Sequence, residues 1–250
     1  MSKKLFRNIN YEVDDESDRG LEIAAKVFTA AIDEHGDPNI KNLTHRMLSQ
    51  ASLRKIGEYA QLTPQIQNKL ATIPDWLVWI NQQVIENYQG QPGNLESLIK
   101  AIGFHAASEM LAHREFSTID RIVRHENKEI GFDKYLKGGN GKVNFEGHEI
   151  GGWCWIVIHG SYSNSGVEQI HFQKALEAIN LVIRYSPANY ETILQWILVG
   201  FNSFVMLQQE FFRKVKQECL ELTDEFQRSQ KSEVNPPLTP PRRGSQKLFL

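Results

Sequence analysis

Apolar residues recur at helical spacing through most of the chain. Between residues 20 and 35 they step by three and four positions, and the same spacing returns between residues 95 and 116. The longest such stretch runs from about Tyr190 to Gln227, where Ile197 and Phe204 belong to one apolar stripe. A stripe of this length is typical of a helix that packs along a neighbour or a partner chain. The pattern therefore predicts a mainly α fold, a helical bundle.

Strand-like composition is confined to one region. The segments "KVNFEG" at 142–147 and "GGWCWIVIHG" at 151–160 are rich in β-branched and aromatic residues, and they are joined near Gly147. They predict one β-hairpin, at about 142–158, inserted into the bundle. The fold class that we expect is mainly α, with this one hairpin and disordered termini.

Changes in composition divide the chain into three parts. Residues 1–18 change from basic to acidic and predict a disordered arm. Residues 19–228 form the predicted helical domain, in which "GQPG" at 90–93 is a candidate break between subdomains. Residues 229–250 are rich in proline and predict a disordered tail.

Charge and apolar content favour a soluble, cytoplasmic protein. The formal net charge is −2, so no global basic or acidic excess points to nucleic acid or to an anionic membrane. Two isolated cysteines fit buried thiols in a reducing compartment. The most apolar stretch, Ile193–Leu207, is shorter than the roughly 20 residues that span a bilayer. We interpret it as a core helix and expect no membrane contact.

Residues 52–71, "SLRKIGEYAQLTPQIQNKLA", predict two short helices that meet at a tight turn around Gln61. Their apolar residues, Leu53, Ile56, Ile66 and Leu70 among them, form the small core that such a pair needs. The segment resembles the DNA-reading unit of the lactose-repressor family, notably in "EYA" and in the helix start "LTP". This resemblance implies a helix-turn-helix, with Gln61 where that family usually has glycine or another small residue.

The basic and polar residues of this region are the candidate nucleic-acid contacts. Arginine and lysine meet phosphates, whereas glutamine and asparagine read base edges. The candidates are Arg46, Arg54, Lys55, Gln65, Gln67, Asn68 and Lys69. The alternative interpretation is a helical hairpin with a purely structural role.

An alternative ligand site lies where the second predicted strand ends, in "HGSYSNSG" at 159–166. His159, Ser161 and Ser163 stand where a strand, a turn and a helix start would bring polar groups together, in a strand-turn-helix at 153–170. The segment lacks the spacing of a nucleophile elbow or of a phosphate loop. A plain turn with a helix cap explains the same residues.

His105, Glu109 and His113 share one face of a predicted helix, at positions i, i+4 and i+8. Two such steps separate the histidines by about 12 Å, so a metal ion would need ligands from another helix, such as His125 or Glu126. Carboxylate-x-x-His pairs do not repeat along the chain, as a helical di-metal bundle requires. We expect no metal and no other cofactor.

The tail "NPPLTPPRRG", at 235–244, resembles translated copies of short intergenic repeats that occur in cyanobacterial genomes. The resemblance implies a cyanobacterial source and a tail without a selected fold. It implies nothing about activity.

Two functions from different classes remain open. The first is a regulatory or adaptor protein that acts through macromolecular contacts, with a protein partner, with DNA or RNA bound at 41–71, or with a second copy through the helix at 190–227. The second is an enzyme or small-ligand-binding protein that uses the segment 153–170. Because no enzyme motif is present, we lean away from catalysis, and the position of the largest cavity is the feature that would separate the two.

Overall fold

The computed structural model describes residues 16–36, 43–139, 141–145, 147–160 and 167–234. Within these residues the chain forms nine α-helices and one two-stranded antiparallel hairpin, which confirms the predicted mainly α fold. The chain divides into two units, Met1–Gln208 and Gln209–Leu250. In the second unit, the described residues are the C-terminal part of one helix.

The elements follow one another in a simple order. The helices are α1 Glu16–Gly36, α2 His45–Tyr59, α3 Pro64–Leu70, α4 Asp75–Gln89, α5 Leu95–Asp120, α6 Phe132–Lys137, α7 Cys154–Gly160, α8 Val167–Tyr185 and α9 Tyr190–Val234. The strands are β1 Lys142–Phe145 and β2 His148–Gly151, and a π-helical turn, Arg121–Glu126, continues α5.

Side-chain caps fix the starts of several helices, α2, α3 and α5 among them. The hydroxyl oxygens of Thr44 and Thr63 accept hydrogen bonds from backbone amides in the first turns of α2 and α3. The side chain of Asn94 does the same for α5. Each cap satisfies an amide that has no partner inside its own helix, so each sets the residue at which the helix begins.

The predicted hairpin exists, but it ends at Gly151 rather than near residue 158. Val143 pairs with Ile150 in the two-stranded ladder. The segment that follows is α7, so the prediction of a long second strand was wrong. Trp153, Ile156 and His159 are all buried, and their spacing of three is helical rather than alternating.

The described residues form three apolar core clusters. The largest joins α1, α5, α8 and α9 through residues such as Ile23, Ile99, Tyr185 and Ile193. A second cluster packs α2 on the hairpin, and a third gathers Phe132, Trp153 and Ile156. These clusters hold α1, α5, α7 and α8 side by side, which positions the site described below.

The N-terminal part of α9 belongs to this core. Gly103 of α5 lies so close to α9 that an added Cβ would stand 2.3 Å from the carbonyl oxygen of Ile197, so only glycine allows this approach. Phe204 packs its ring on the buried ring of Phe104, with centroids 5.1 Å apart.

By length and composition alone, residues 190–225 would also suffice to cross a membrane, and 22% of the most apolar 18-residue window of this helix is buried. Core helices meet the same criteria, and the cytoplasmic location stays a prediction.

The helix bounds differ from the predicted domain limits at both ends. Helix α1 begins at Glu16, inside the predicted arm at 1–18, and α9 continues to Val234, beyond the predicted limit at 228. No proline or glycine interrupts the sequence between residues 201 and 235, so nothing in it stops the helix earlier. Residues 1–15 and 235–250 lie outside the described residues. At the candidate break, Gly90 has a positive φ and ends α4.

Candidate metal centre

Four ionisable side chains from three helices meet inside the first unit. Asp33 comes from α1, Glu109 from α5, and Glu168 and His171 from α8. The two glutamates and the histidine are at most 8% exposed. Charged groups at this depth are unfavourable unless opposite charges or hydrogen bonds compensate them.

The spacing of the donor atoms fits a metal ion. His171 Nδ1 lies 3.3 Å from Glu109 Oε2 and 3.6 Å from Glu168 Oε2, and one donor atom from each of the three residues lies within 4.8 Å of the others. Bonds of about 2.0–2.2 Å place neighbouring ligand atoms about 3.0–3.5 Å apart. The two separations from His171 Nδ1, 3.3 and 3.6 Å, are therefore already close to those around a common ion.

The other ring nitrogen of His171 is held by a carboxylate. His171 Nε2 lies 2.8 Å from Asp33 Oδ2, within hydrogen-bonding distance. A ligating histidine usually donates its second N–H to a carboxylate or a carbonyl, which fixes the ring and leaves the other nitrogen for the metal. Here that arrangement directs Nδ1 to the two glutamates.

Without a metal ion, protons hold the cluster together. Burial lowers the pKa of His171, but hydrogen bonds to Glu109, Glu168 and Asp33 outweigh it and raise this pKa to about 10. Burial and the neighbouring Glu109 raise the pKa of Glu168. A protonated imidazole among three carboxylates leaves negative charge uncompensated, and a divalent cation would supply what is missing.

The candidate metal face of α5 contributes one donor to the cluster, Glu109. His105 is buried with Nδ1 3.2 Å from Glu109 Oε1, and burial together with the charge of His171 lowers its pKa to about 4. His113 Nδ1 instead lies 3.0 Å from the carbonyl oxygen of His159. His125 and Glu126, predicted as helpers, lie on the π-helical turn and pair with Asp120 and Arg121.

The cluster opens into a cavity of about 510 Å³. Its lining includes Glu34, His45, Tyr88, Glu109, His159 and Glu168. Sites for small molecules usually have volumes of about 300–1,000 Å³. An ion held by Glu109 and Glu168 would thus face a space large enough for water or a small substrate.

His159 reaches the cavity from α7. This short helix packs on α5 at Gly160, where an added Cβ would stand 2.5 Å from the backbone nitrogen of Ser117. The Nδ1 atom of His159 lies 2.5 Å from the carbonyl oxygen of Trp155, a bond that leaves Nε2 facing Glu168 Oε1 at 3.6 Å. Burial lowers the pKa of His159, which favours the neutral ring and a free lone pair on Nε2.

The structure agrees with the predicted alternative ligand site in one respect and differs from it in another. His159 lies in a cavity with a second titratable group, Glu168, as the enzyme or small-ligand interpretation requires. It stands at the end of a helix rather than of a strand, so the predicted strand-turn-helix at 153–170 is wrong in its first part. Ser161 and Ser163 lie outside the described residues.

The candidate nucleic-acid residues differ in exposure and in their partners. Lys55 is buried, and its Nζ pairs with Glu58 Oε2 at 2.7 Å, so it is removed from the predicted phosphate contacts. Arg54 pairs with the same glutamate, and Arg46 lines the cavity. The remaining candidates, Gln65, Gln67, Asn68 and Lys69, are exposed on α3, and nucleic-acid binding through them stays a prediction.

The small core predicted for residues 52–71 is not buried. Leu53 is 67% exposed and Leu70 50% exposed, and α3 contributes no buried residue. Helical spacing predicts that these side chains pack together, but spacing alone does not provide a neighbouring element to cover them. Gln61 has a positive φ of 52°, at the turn where glycine would be expected.

Glu168 and His171 were missed in the sequence. They form the only carboxylate-x-x-His pair of the chain, at i and i+3 on one helical face. A symmetric di-metal bundle needs two such pairs, so a single pair does not predict one. A single pair can nevertheless combine with a glutamate from another helix to bind one ion. Asp33 gave no local signal, since its role depends on a contact with a residue 138 positions away.

The fold and this cluster define a class of site, a buried carboxylate–imidazole centre between helices that opens to a cavity. Comparisons with protein-family models, with curated proteins and with solved structures give no match for this chain. The function is therefore inferred from the geometry of the centre.

Proposed function

We propose that this protein binds a divalent transition-metal ion through Glu109, Glu168 and His171 and that the ion is a catalytic-type centre. The observation that carries the proposal is the convergence of three buried donor atoms within 4.8 Å of one another, with Asp33 on the far nitrogen of the imidazole. Three protein ligands leave coordination positions for water or substrate, as in catalytic rather than structural sites. The adjoining cavity supports this assignment because it gives those positions access to solvent.

The donor set favours iron, manganese or zinc. Imidazole suits Zn, Fe and other first-row transition ions, whereas magnesium and calcium prefer sites made of oxygen donors alone. Two carboxylates and one imidazole are a mixed set, which favours a first-row ion over an alkaline-earth ion. An ion bound there would act as a Lewis acid or would lower the pKa of a bound water molecule.

The test is a metal titration of chelator-treated protein. We expect Mn(II), Zn(II) or anaerobic Fe(II) to raise the melting temperature and to remain bound after dialysis, as measured by elemental analysis. At a metal concentration of about 100 times Kd the stabilisation is about 2.7 kcal/mol. Cobalt(II) absorption bands would report the coordination geometry without requiring a known activity.

Matched variants separate binding at the centre from binding elsewhere. His171→Ala should abolish retention of the ion, and Asp33→Asn, which removes only the partner of the ring, should weaken binding about 10–100-fold. His125→Ala is the control, since this exposed histidine pairs with Asp120 outside the cluster. If the wild type retains no ion, or if His171→Ala binds as well as the wild type, the cluster is a proton-bound structural network and the proposal is wrong.

A further inference from the structure

A second group of donors lies beside the first, on the other side of Glu168. The two carboxylate oxygens of Glu168 point in different directions. Oε2 lies 3.6 Å from His171 Nδ1, whereas Oε1 lies 3.6 Å from His159 Nε2. A carboxylate that offers one oxygen to each side has the arrangement of a bridging ligand.

His45 supplies the next donor. It is 4% exposed, lines the cavity, and its Nε2 atom has no hydrogen-bond partner among the described residues. A buried ring nitrogen without a partner is unfavourable, because the water that it has lost is not replaced. The ring meets that of His159 edge to face, with centroids 4.6 Å apart. An ion bound at Nε2 would satisfy this nitrogen atom of His45.

The other nitrogen of His45 lies near a carboxylate of α1, as one nitrogen of His171 does. His45 Nδ1 is 2.9 Å from Glu34 Oε1 without the geometry of a hydrogen bond, whereas His171 Nε2 is hydrogen-bonded to Asp33 Oδ2 at 2.8 Å. Two successive residues of α1 thus each lie beside one imidazole, and a carboxylate in that place can orient the ring of a metal ligand. This parallel placement supports two metal positions rather than one.

We infer that His45, His159 and Glu168 hold a second metal ion, so that Glu168 bridges a two-metal centre at the base of the cavity. This inference rests on the proposed function, because Glu168 also belongs to the first position. Among the described residues, the donor atoms of the second group do not all lie within 4.8 Å of one another as those of the first group do, so binding requires these side chains to move closer together. Two adjacent ions act together on one oxygen-bearing substrate by stabilising both the attacking and the leaving oxygen atoms. The substrate class that fits is therefore a small molecule with an oxyanion or an ester-like group.

The experiment counts ions in the full-length protein. Chelator-treated wild type is dialysed against Mn(II), and bound metal is measured by elemental analysis while electron paramagnetic resonance distinguishes coupled pairs from isolated ions. We expect two ions per chain and a coupled spectrum. His45→Gln should retain one isolated ion, and Glu168→Gln should weaken both.

Glu34→Gln is the second variant, because this side chain is 57% exposed and its loss should leave the fold intact. We expect its second ion to bind about 10–100-fold more weakly, with the first unchanged. Ser49→Ala, in the lining of the same cavity, is the control and should bind two ions.

The outcomes separate the two claims. One ion per chain in the wild type, lost in His171→Ala and unaffected in His45→Gln, overturns the second position and leaves the first intact. Two ions that both persist in His45→Gln also overturn it. No bound ion overturns both claims.

Discussion

Replacing Glu115 by glutamine should make the metal-free protein more stable at neutral pH. Glu115 lies on α5, and Gln208 Nε2 donates a hydrogen bond to its Oε1 atom. Burial, and to a smaller extent the charge of Glu168, raise the pKa of Glu115 to about 7, against an ordinary value of 4.5. Glutamine has the same shape and keeps an oxygen that accepts this hydrogen bond, so the substitution removes the charge and little else.

The direction of the pH dependence follows from the number of protons that the folded and the unfolded protein bind. Between pH 4.5 and about 7 the folded protein keeps the Glu115 proton while the unfolded chain has lost it, so stability falls as pH rises through this window. A difference of about 2.5 between the two pKa values corresponds at most to about 3.4 kcal/mol. Because Glu115 is partly exposed and solvent screens it, we expect about 1–2 kcal/mol.

Urea denaturation of both proteins at pH 4.5, 6 and 8, with chelator present, measures this difference. The variant and the wild type should agree at pH 4.5, and the variant should be more stable by about 1–2 kcal/mol at pH 8. Glu96→Gln is the control, because it removes a carboxylate from the exposed surface of the same helix. A Glu115→Gln variant whose difference does not change with pH would refute the buried, protonated carboxyl group.

The remaining predictions concern packing and the nucleic-acid hypothesis. Phe204→Ala should cost about 2–4 kcal/mol in urea denaturation, since the ring is only partly exposed and packs on buried Phe104. Gly160→Ala should cost about 1–3 kcal/mol and lower the melting temperature, because its methyl group meets the backbone of α5. If α3 binds nucleic acid, titration of a labelled duplex should show affinity that falls steeply with salt, and Gln65→Ala or Asn68→Ala should mainly relax sequence preference. Absence of binding at low salt and micromolar protein would eliminate that hypothesis.

The sequence predicted the helices better than it predicted their contacts. Periodicity and caps located α5 and the start of α3, because both signals are local to the element that they define. Composition misplaced α7, since β-branched and aromatic residues favour strands unless their spacing on the buried face is considered. Trp153 and Ile156 show that spacing, and it is recognisable once the buried face is known.

The candidate site was harder to predict because its residues are far apart in the chain. Glu109 was identified on its own helix, but its partners on α8 are about 60 positions later, and no periodic pattern links them. A similar difficulty explains why the burial of Lys55 was not predicted. Its charge and its place beside Arg54 predicted an exposed phosphate contact, whereas the fold buries its stem and pairs its ammonium group with Glu58.

A structural and a metal-binding interpretation of the cluster differ in what neutralises the carboxylates. A purely structural network would use the proton on His171 and would have no need of a cavity, since water entering beside buried charges weakens their attraction. In this protein Glu109 and Glu168 line an open cavity, and His45 in the same wall has a ring nitrogen without a hydrogen-bond partner in the part of the chain that the structure describes. Both features are unfavourable for stability, and both are what an ion with exchangeable ligands requires. Groups that reduce stability but suit binding are typical of functional sites, which is why we favour the metal.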